Sequence, residues 1–248
     1  MVLFVFILKN NHMASSFGIL AKLDFLQTFS SKLIAGVNPA IIHNIEKYVA
    51  LKKVHYLTGV EHLEGDYLEF GVFAGSSFTH SIRCSKKMGK IFPGIKDCSF
   101  YGYDSFEGFG EIEESDIHSF YTDENFATNY EKVSKRVKRA AGEFNYKLIK
   151  GFFNETLKNG ALADGISKSR VIFIDSDTYS SSKEALDYCL PTIQVGTYVV
   201  LDDFFSYKGD EKRGVAKAFN EFLEAGGFSS RKVMDYGMGG SVFVISDM

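Results

Sequence analysis

Residues 65–79, GDYLEFGVFAGSSFT, decide the fold of this 248-residue chain. Their apolar first half ends in Glu69 and Gly71, Gly75 follows four residues later, and two serines come next. This order predicts a buried strand, a tight turn and the start of a helix. Glycine at position 71 permits a positive φ and lets a ligand approach the backbone where a Cβ would collide. Because the first N–H groups of the helix face the same point, the stretch predicts a cradle for a nucleotide-type ligand.

The composition fits one soluble α/β domain. Apolar residues make up 45% of the chain and charged residues 24%, which is ordinary for a globular protein with a sizeable core. The net charge of −3 and the isoelectric point near 6.1 give no basic field, so we expect no nucleic-acid partner and no attachment to an anionic membrane. Three widely spaced cysteines match no zinc pattern and are typical of a cytoplasmic protein: Cys84, Cys98 and Cys189.

The first sixty residues precede the predicted sheet. The first eight are strongly apolar but too few to span a bilayer, so no membrane span is expected. We expect residues 1–16 to be an apolar extension, with disorder or a weak membrane anchor as alternatives. Over residues 17–60, apolar side chains recur every three or four positions, which predicts a helical cap interrupted at Asn38-Pro39. The cap and a core at residues 61–248 are predicted to form a single domain, 17–248.

Beyond the cradle, apolar strands alternate with helical segments. Further strands are predicted at 100–106, 146–153, 170–175 and 197–202, with a closing antiparallel hairpin at 232–236 and 241–245. This alternation predicts an α/β fold with a mostly parallel, Rossmann-like sheet. Between the strands we expect helices at 124–141 and from Ser181 to Leu190, and a mobile acidic loop at 107–123.

Four of the predicted parallel strands end in acidic residues. Glu69, Asp104, Asp175 and the pair Asp202-Asp203 all fall at strand ends, which meet at one edge of a parallel sheet. Carboxylates gathered there are costly unless they bind something. Asp104 lies 33 residues after Gly71, where nucleoside-binding α/β folds place the acid that accepts the ribose hydroxyls. The alternative is a turn aspartate, since Asp-Ser is good turn chemistry.

A second set of acids follows the fourth and fifth strands. Asp175, Asp202 and Asp203 offer hard oxygen ligands with no neighbouring histidine or cysteine, which favours Mg²⁺, Mn²⁺ or Ca²⁺ over zinc. Capping of strands and loops would explain the same residues without a metal. Asp177, two residues past Asp175, is a candidate general base. Among the histidines, His118 is a distant candidate on the substrate side, and simple solvent exposure is its alternative.

Four segments in this order resemble the macrocin O-methyltransferase family of class I S-adenosylmethionine-dependent methyltransferases. They are LEFGVFAGS at 68–76, GYDSFEG at 102–108, DSDTYSSS at 175–182 and LDDF at 201–204. The resemblance covers roughly residues 60–246. It implies a seven-stranded sheet whose last strand is antiparallel, S-adenosylmethionine as cofactor and bound Mg²⁺.

The resemblance also implies roles for individual residues. The cofactor would be bound by Glu69, Phe70, Gly71, Gly75, Ser76, Ser77, Asp104, Ser105, Gly151, Phe152 and Asp175. Within that set, Asp104 would take the ribose, and Gly151 and Phe152 would flank the adenine. Asp175, Asp202 and Asp203 match the Mg²⁺ ligands of the family. Thr178 stands where some metal-dependent relatives carry a lysine or histidine base, so we assign catalysis to Asp177 together with Asp175.

The expected function is therefore transfer of a methyl group to a hydroxyl of a sugar or other small natural-product-like acceptor. We expect a cytoplasmic enzyme, with a homo-oligomer as an open possibility. One alternative is different chemistry on a similar sheet, such as a hydroxylase or a nicotinamide-dependent oxidoreductase. The oxidoreductase predicts G-x-G-x-x-G, whereas the chain has Gly71-x-x-x-Gly75. A non-catalytic relative that kept only the fold is the other alternative.

Overall fold

The computed structural model describes residues 23–110, 112–118 and 126–248, so the predicted extension at 1–16 lies outside them. The described chain divides into two compact units, the first ending at Ile42 and the second covering residues from His43 onward. Two helices come first, α1 (Asp24–Ala35) and α2 (Pro39–Val60). The predicted break between them is confirmed: the Asn38 side chain accepts the Ala40 N–H at 2.9 Å, and Pro39 begins α2.

A seven-stranded sheet forms the centre of the second unit. The strands are β1 (Asp66–Phe70), β2 (Phe100–Asp104), β3 (Tyr146–Lys150), β4 (Ser169–Ile174), β5 (Tyr198–Leu201), β6 (Ser229–Tyr236) and β7 (Gly240–Asp247). Their order is β3-β2-β1-β4-β5-β7-β6. Strands β1 to β5 are parallel, and β7 pairs antiparallel with both β5 and β6. The predicted α/β class, the sheet of seven strands and the antiparallel last strand are confirmed.

Helices cover both faces of this sheet. They are α3 (Ser76–Met88), α4 (Tyr130–Ala141), α5 (Phe153–Thr156), α6 (Tyr179–Cys189) and α7 (Gly214–Gly226). Short 3₁₀ turns lie at Pro93–Asp97, Glu114–Asp116, Leu190–Thr192 and Tyr207–Gly209. Among the described residues, we find no helix with the length and apolar character that a membrane crossing requires.

Alternation along β1 divides the core into two layers. Tyr67 packs on one face with buried residues of α2, α3 and α4, such as Leu51 and Phe78. Leu68 and Phe70 point to the other face and pack with buried residues of α6 and α7. Each such side chain that is taken fully out of water contributes about 1.5–3 kcal/mol, so the two layers fix the sheet and the positions of its strand ends.

Two predicted helix starts are displaced. Helix α6 begins at Tyr179 rather than Ser181, because Thr178 caps it and its Oγ1 accepts the Ser181 N–H at 3.3 Å. Helix α4 begins at Tyr130 rather than residue 124, because Asn129 caps it. In both cases a good capping residue lies next to several others, and spacing alone does not identify which one is used.

The acidic loop predicted to be mobile is anchored by Asp116. This residue is fully buried, and its carboxylate accepts the Tyr179 N–H at 2.9 Å and the Ser180 N–H at 3.0 Å. The Ser180 hydroxyl donates to it at 2.6 Å, and the Tyr207 hydroxyl donates to its main-chain carbonyl. The carboxylate thus binds free N–H groups at the start of α6, where a negative charge is favoured. These contacts tie Asp116 to the start of α6, and the mobility of the loop stays a prediction.

We expect Asp116→Ala to lower the free energy of unfolding by about 2–4 kcal/mol, because it removes a helix cap and leaves buried donors without a partner. Asn129→Ala is the matched control, since Asn129 caps α4 at an exposed site. It should cost only about 1 kcal/mol. Urea unfolding followed by circular dichroism measures both changes. Equal losses would show that Asp116 is an ordinary cap and not the anchor of the loop.

Candidate active site

The carboxyl ends of β4 and β5 bring three aspartates together. The strands are parallel neighbours, and the Asp202 N–H extends their pairing by donating to the Ile174 carbonyl at 2.9 Å. Asp175 follows β4, and Asp202 and Asp203 follow β5. One carboxylate oxygen from each of the three lies within 4.8 Å of the others. A set of hard oxygen donors at this spacing fits Mg²⁺, Mn²⁺ or Ca²⁺, so the residues suit the predicted metal.

Helix α2 supplies a cation that the sequence analysis missed. The Lys47 Nζ lies 2.9 Å from Asp175 Oδ2 and 2.7 Å from Asp202 Oδ2, and only 9% of the lysine side chain is exposed. Burial alone would lower the pKa of this ammonium group, but the two carboxylates outweigh burial and raise it. Lys47 therefore stays charged inside the cluster.

Two further side chains bind Asp202. The Tyr236 hydroxyl donates to Asp202 Oδ1 at 2.8 Å, and His43 Nε2 lies 3.1 Å from Asp202 Oδ2. Because the Met238 N–H donates to His43 Nδ1, the proton of the ring sits on Nε2 and points at Asp202. Burial alone would raise the pKa of Asp202, but Lys47 and the His43 hydrogen bond hold it below its usual value.

Asp175 differs from Asp202 in its electrostatic surroundings. Burial, and then the neighbouring charge of Asp202, raise the pKa of Asp175 well above its usual value. Asp202 is thus the carboxylate that keeps its charge most firmly, and it receives three hydrogen bonds from the protein's own side chains.

Asp177, the predicted base, lies beside the cluster in a strained backbone conformation. Its φ is +63°, a region that aspartate enters more readily than most residues. Burial, followed by the charge of Asp203, raises the pKa of the Asp177 carboxyl well above its usual value. A carboxylate with a raised pKa is a better proton acceptor than an ordinary aspartate, which suits a general base.

The turn after β1 has the predicted form. Gly71 has a φ of +94°, and a Cβ at this position would lie 1.8 Å from the main-chain oxygen of Asp175. The glycine therefore lets the chain after β1 pass directly against the chain after β4. Gly75 has a φ of +72° and stands at the N-terminus of α3. The first N–H groups of a helix have no partner within it, so those of α3 are available to a ligand at this turn.

Asp104 links two loops at this edge. Its Oδ2 accepts the Phe73 N–H at 2.7 Å, and its Oδ1 accepts the Phe106 N–H at 2.5 Å. Phe73 and Phe106 both have positive φ values, +47° and +59°, so the carboxylate holds two strained turns in place. The Val72 main chain also donates to this carboxylate. Since an ionised carboxylate has about four acceptor positions, Asp104 keeps part of its acceptor capacity for a ligand hydroxyl.

Glu69 has its hydrogen bonds inside the protein. It is fully buried, its Oε1 accepts the Ser77 hydroxyl at 2.7 Å, and its Oε2 accepts the Tyr67 hydroxyl. Burial raises the pKa of Glu69 to about 7, although both hydroxyls oppose the shift. The residue ties β1 to the first turn of α3, which fixes the helix that faces the cradle.

A cleft of about 540 Å³, counted together with the solvent it opens to, runs along this edge. It is lined by predicted site residues from the loops after β1, β2, β3 and β4, namely Gly71, Asp104, Ser105, Phe152, Asp175 and Asp177. Phe73, Phe109 and Phe126 add aromatic surface.

The structure does not place every predicted cofactor residue on the wall of this cleft. The lining does not include Glu69, Phe70, Gly75, Ser76, Ser77 or Gly151. Phe70 points into the core and stacks on Tyr103. His118 also lies away from this wall and meets the Tyr207 ring edge-on. The role of the first six as cofactor residues stays a prediction.

The polar residues of α2 carried one signal that could have revealed them. His43, Glu46 and Lys47 are spaced i, i+3 and i+4, which places them on one face of a helix. All three bind at the carboxyl edge of the sheet, since Glu46 Oε2 accepts the Gly237 N–H at 2.7 Å. The apolar periodicity of this helix predicts only that it packs against the sheet, and it gives no role to these three polar residues.

Comparison with known proteins places the chain among methyltransferases. The profile of the macrocin-O-methyltransferase (TylF) family matches residues 46–231. The mycinamicin III 3''-O-methyltransferase of Micromonospora griseorubida is 23% identical in an alignment 149 residues long, which covers 56% of this chain and 55% of that protein. The alignment thus spans about half the length of this curated relative.

Two solved structures are similar in fold. The O-methyltransferase NovP has a TM-score of 0.67 at 19% identity, covering 82% of this chain and 80% of its own. The calicheamicin methyltransferase CalS11 has a TM-score of 0.64 at 16% identity, covering 95% of this chain and 94% of its own. The family match contains all four segments on which the resemblance rests and extends over most of the sequence. The chain belongs to the macrocin-O-methyltransferase (TylF) family.

Proposed function

We propose that the protein is an S-adenosylmethionine-dependent O-methyltransferase, assisted by Mg²⁺, that acts on a hydroxyl group of a sugar or another natural-product-like acceptor. One observation carries the proposal: the cradle at Gly71 and the acidic group of Asp175 and Asp177 line a single cleft. A methyl donor and a site for hydroxyl activation therefore adjoin. The acceptor class is proposed from the names of the family, the curated relative and CalS11.

Binding of the methyl donor is assigned to the loops after β1, β2 and β3. The turn at Gly71 would let the ligand approach the protein backbone closely. Asp104 would accept hydrogen bonds from the ribose hydroxyls. Phe152, which lines the cleft, packs against the adenine. S-adenosylmethionine supplies an electrophilic methyl group on sulfur, and the chain's own task is to hold that group in line with the acceptor oxygen.

Activation of the acceptor is assigned to the acidic group. Asp177 would take the proton from the acceptor hydroxyl, which would free that oxygen to accept the methyl group as the methyl–sulfur bond breaks. Asp175, Asp202 and Asp203 would hold the divalent ion, which, when bound, polarises the acceptor oxygen as a Lewis acid. Tyr236 and His43 would hold the Asp202 carboxylate in position through their hydrogen bonds.

Binding and turnover measurements test the proposal. Calorimetry should detect binding of S-adenosylmethionine and no binding of NADH. Methyl transfer should then be measured across a panel of glycosylated and phenolic acceptors, with Mg²⁺ and with EDTA. Binding of NADH in place of S-adenosylmethionine would favour an oxidoreductase. Donor binding without transfer to any acceptor would favour a non-catalytic relative, and full turnover in EDTA would remove the metal from the proposal.

We expect Asp104→Asn to weaken the binding of S-adenosylmethionine at least tenfold, because the ribose loses its anionic acceptor while the amide oxygen can still hold one backbone N–H. Asp66→Asn is the control. Asp66 also accepts a main-chain N–H, that of Ser99, but at the opposite end of β1. Calorimetric titration of both variants decides the matter. If the two bind the cofactor equally well, Asp104 does not contact the ribose.

A homo-oligomeric state and a cytoplasmic location also remain proposals. Light scattering of the purified protein tests the oligomeric state, and fractionation of cells that express it tests the location.

A further inference from the structure

The ammonium group of Lys47 occupies two of the three candidate metal ligands. Its Nζ lies 2.9 Å from Asp175 Oδ2 and 2.7 Å from Asp202 Oδ2, which are ordinary distances for charge-assisted hydrogen bonds. A divalent ion bound through these oxygens would lie close to the lysine charge. Like charges at such a separation, with little water between them, repel strongly.

The position of Lys47 is built into the fold. Two other residues on the same face of α2 bind the turn between β6 and β7: His43 Nδ1 accepts the Met238 N–H, and Glu46 accepts the Gly237 N–H. These contacts hold the helix face against the cluster. Lys47 therefore lies at the cluster because its helix is attached there, and it is not a surface lysine that reaches in by chance.

The single positive charge of Lys47 does not balance the four neighbouring acids, Asp175, Asp177, Asp202 and Asp203. Asp177 and Asp203 lie beside the pair, and among the described residues neither has a lysine or arginine nitrogen within 4 Å. The group therefore still attracts a divalent cation, while Lys47 competes for two of the oxygens such a cation would use.

We propose that Lys47 is a tethered counterion that competes with a divalent cation for Asp175 and Asp202, so that metal binding requires its ammonium group to leave them. The inference rests on the proposed function, because it concerns the metal site of that function. It adds that Lys47 stabilises the carboxylates of the metal-free cluster and that the same lysine weakens the affinity for the metal.

Metal titration of a lysine variant tests this directly. In Lys47→Met an apolar side chain of similar length replaces the cation, and we expect Mg²⁺ and Mn²⁺ to bind at least tenfold more tightly by calorimetry, without cofactor or acceptor. Lys53→Met, at an exposed position on α2, should bind the ions as the wild type does. Equal or weaker binding by Lys47→Met, or tighter binding by both variants, would overturn the proposal.

A second measurement uses the wild-type protein, in case Lys47→Met does not fold. Acetylation of lysines by acetic anhydride, read by mass spectrometry, should label Lys47 several-fold faster when Mg²⁺ is present, with Lys53 unchanged as internal control. Unchanged or slower labelling of Lys47 would contradict displacement. Neither measurement involves methyl transfer, so an enzyme that proves inactive would refute the proposed function and leave this inference open to its own result.

Discussion

Gly71→Ala is expected to destabilise the protein by more than about 4 kcal/mol, a size of loss that is exceptional for one substitution. The added Cβ would lie 1.8 Å from the Asp175 carbonyl oxygen, and both partners of this clash are main chain. Neither can move by rotating a side chain. The strands β1 and β4 would have to separate at the edge where the site lies. Urea unfolding of the purified variant measures the loss, and we expect S-adenosylmethionine binding to disappear with it.

A matched glycine separates the clash from backbone strain. Gly160 also has a positive φ, +75°, but a Cβ there has no neighbour within 4 Å. Gly160→Ala should therefore cost only the strain of a left-handed residue, about 1–2 kcal/mol. If Gly71→Ala costs no more than Gly160→Ala, the close approach of the two chains at Gly71 is not what requires glycine.

The fold was predictable because its signals are local. Each parallel strand of the central sheet is four to six residues long and carries apolar side chains at two or more positions, and each is followed within a few positions by glycine or an acid. Strands of this kind must lie side by side with their ends at one edge, since short connections and right-handed crossovers leave few other arrangements. Asp175, Asp202 and Asp203 were therefore brought together correctly from their positions at strand ends.

The partners of these acids were not predictable in the same way. The contact of Lys47 with Asp175 joins residues 128 positions apart, and that of His43 with Asp202 joins residues 159 apart. Nothing in the local sequence of α2 states which strand end its polar face will meet. The anchoring of Asp116 at the start of α6 spans 63 positions and has the same character. Such contacts depend on how helices and loops lie across the sheet, which periodicity does not determine.

Three of the six non-glycine residues with positive φ in the described part of the chain lie in loops that contribute to the cleft. Phe73, Phe106 and Asp177 each have a positive φ, and they lie in the loops after β1, β2 and β4. A residue held in this region costs about 1–3 kcal/mol and persists only where surrounding contacts enforce it. Asp104 supplies such contacts to the first two. The loops are therefore held in shape before any ligand binds, which favours tight positioning of the reacting groups.

Asp177→Asn is expected to lower kcat between 10²-fold and 10⁴-fold, the range that a positioned general base contributes. The amide is nearly the same size as the carboxyl group, so the turn at Asp177 should keep its form, and asparagine also tolerates its positive φ. The affinity for S-adenosylmethionine should change little, because the ribose and adenine contacts are assigned to other loops. Initial rates at saturating cofactor, combined with calorimetry, separate the two effects.

Asp97→Asn serves as the control for this variant, since Asp97 is exposed and lies in the 3₁₀ turn before β2. It should leave both kcat and cofactor affinity unchanged. A fall in kcat that is matched by an equal loss of cofactor binding in Asp177→Asn would assign Asp177 to shaping the cleft. Full turnover in that variant would mean that the acceptor proton leaves by another route. Burial, and then the neighbouring charge of Asp203, raise the pKa of Asp177. A raised pKa suits proton transfer, so we expect the loss in Asp177→Asn to be confined to kcat.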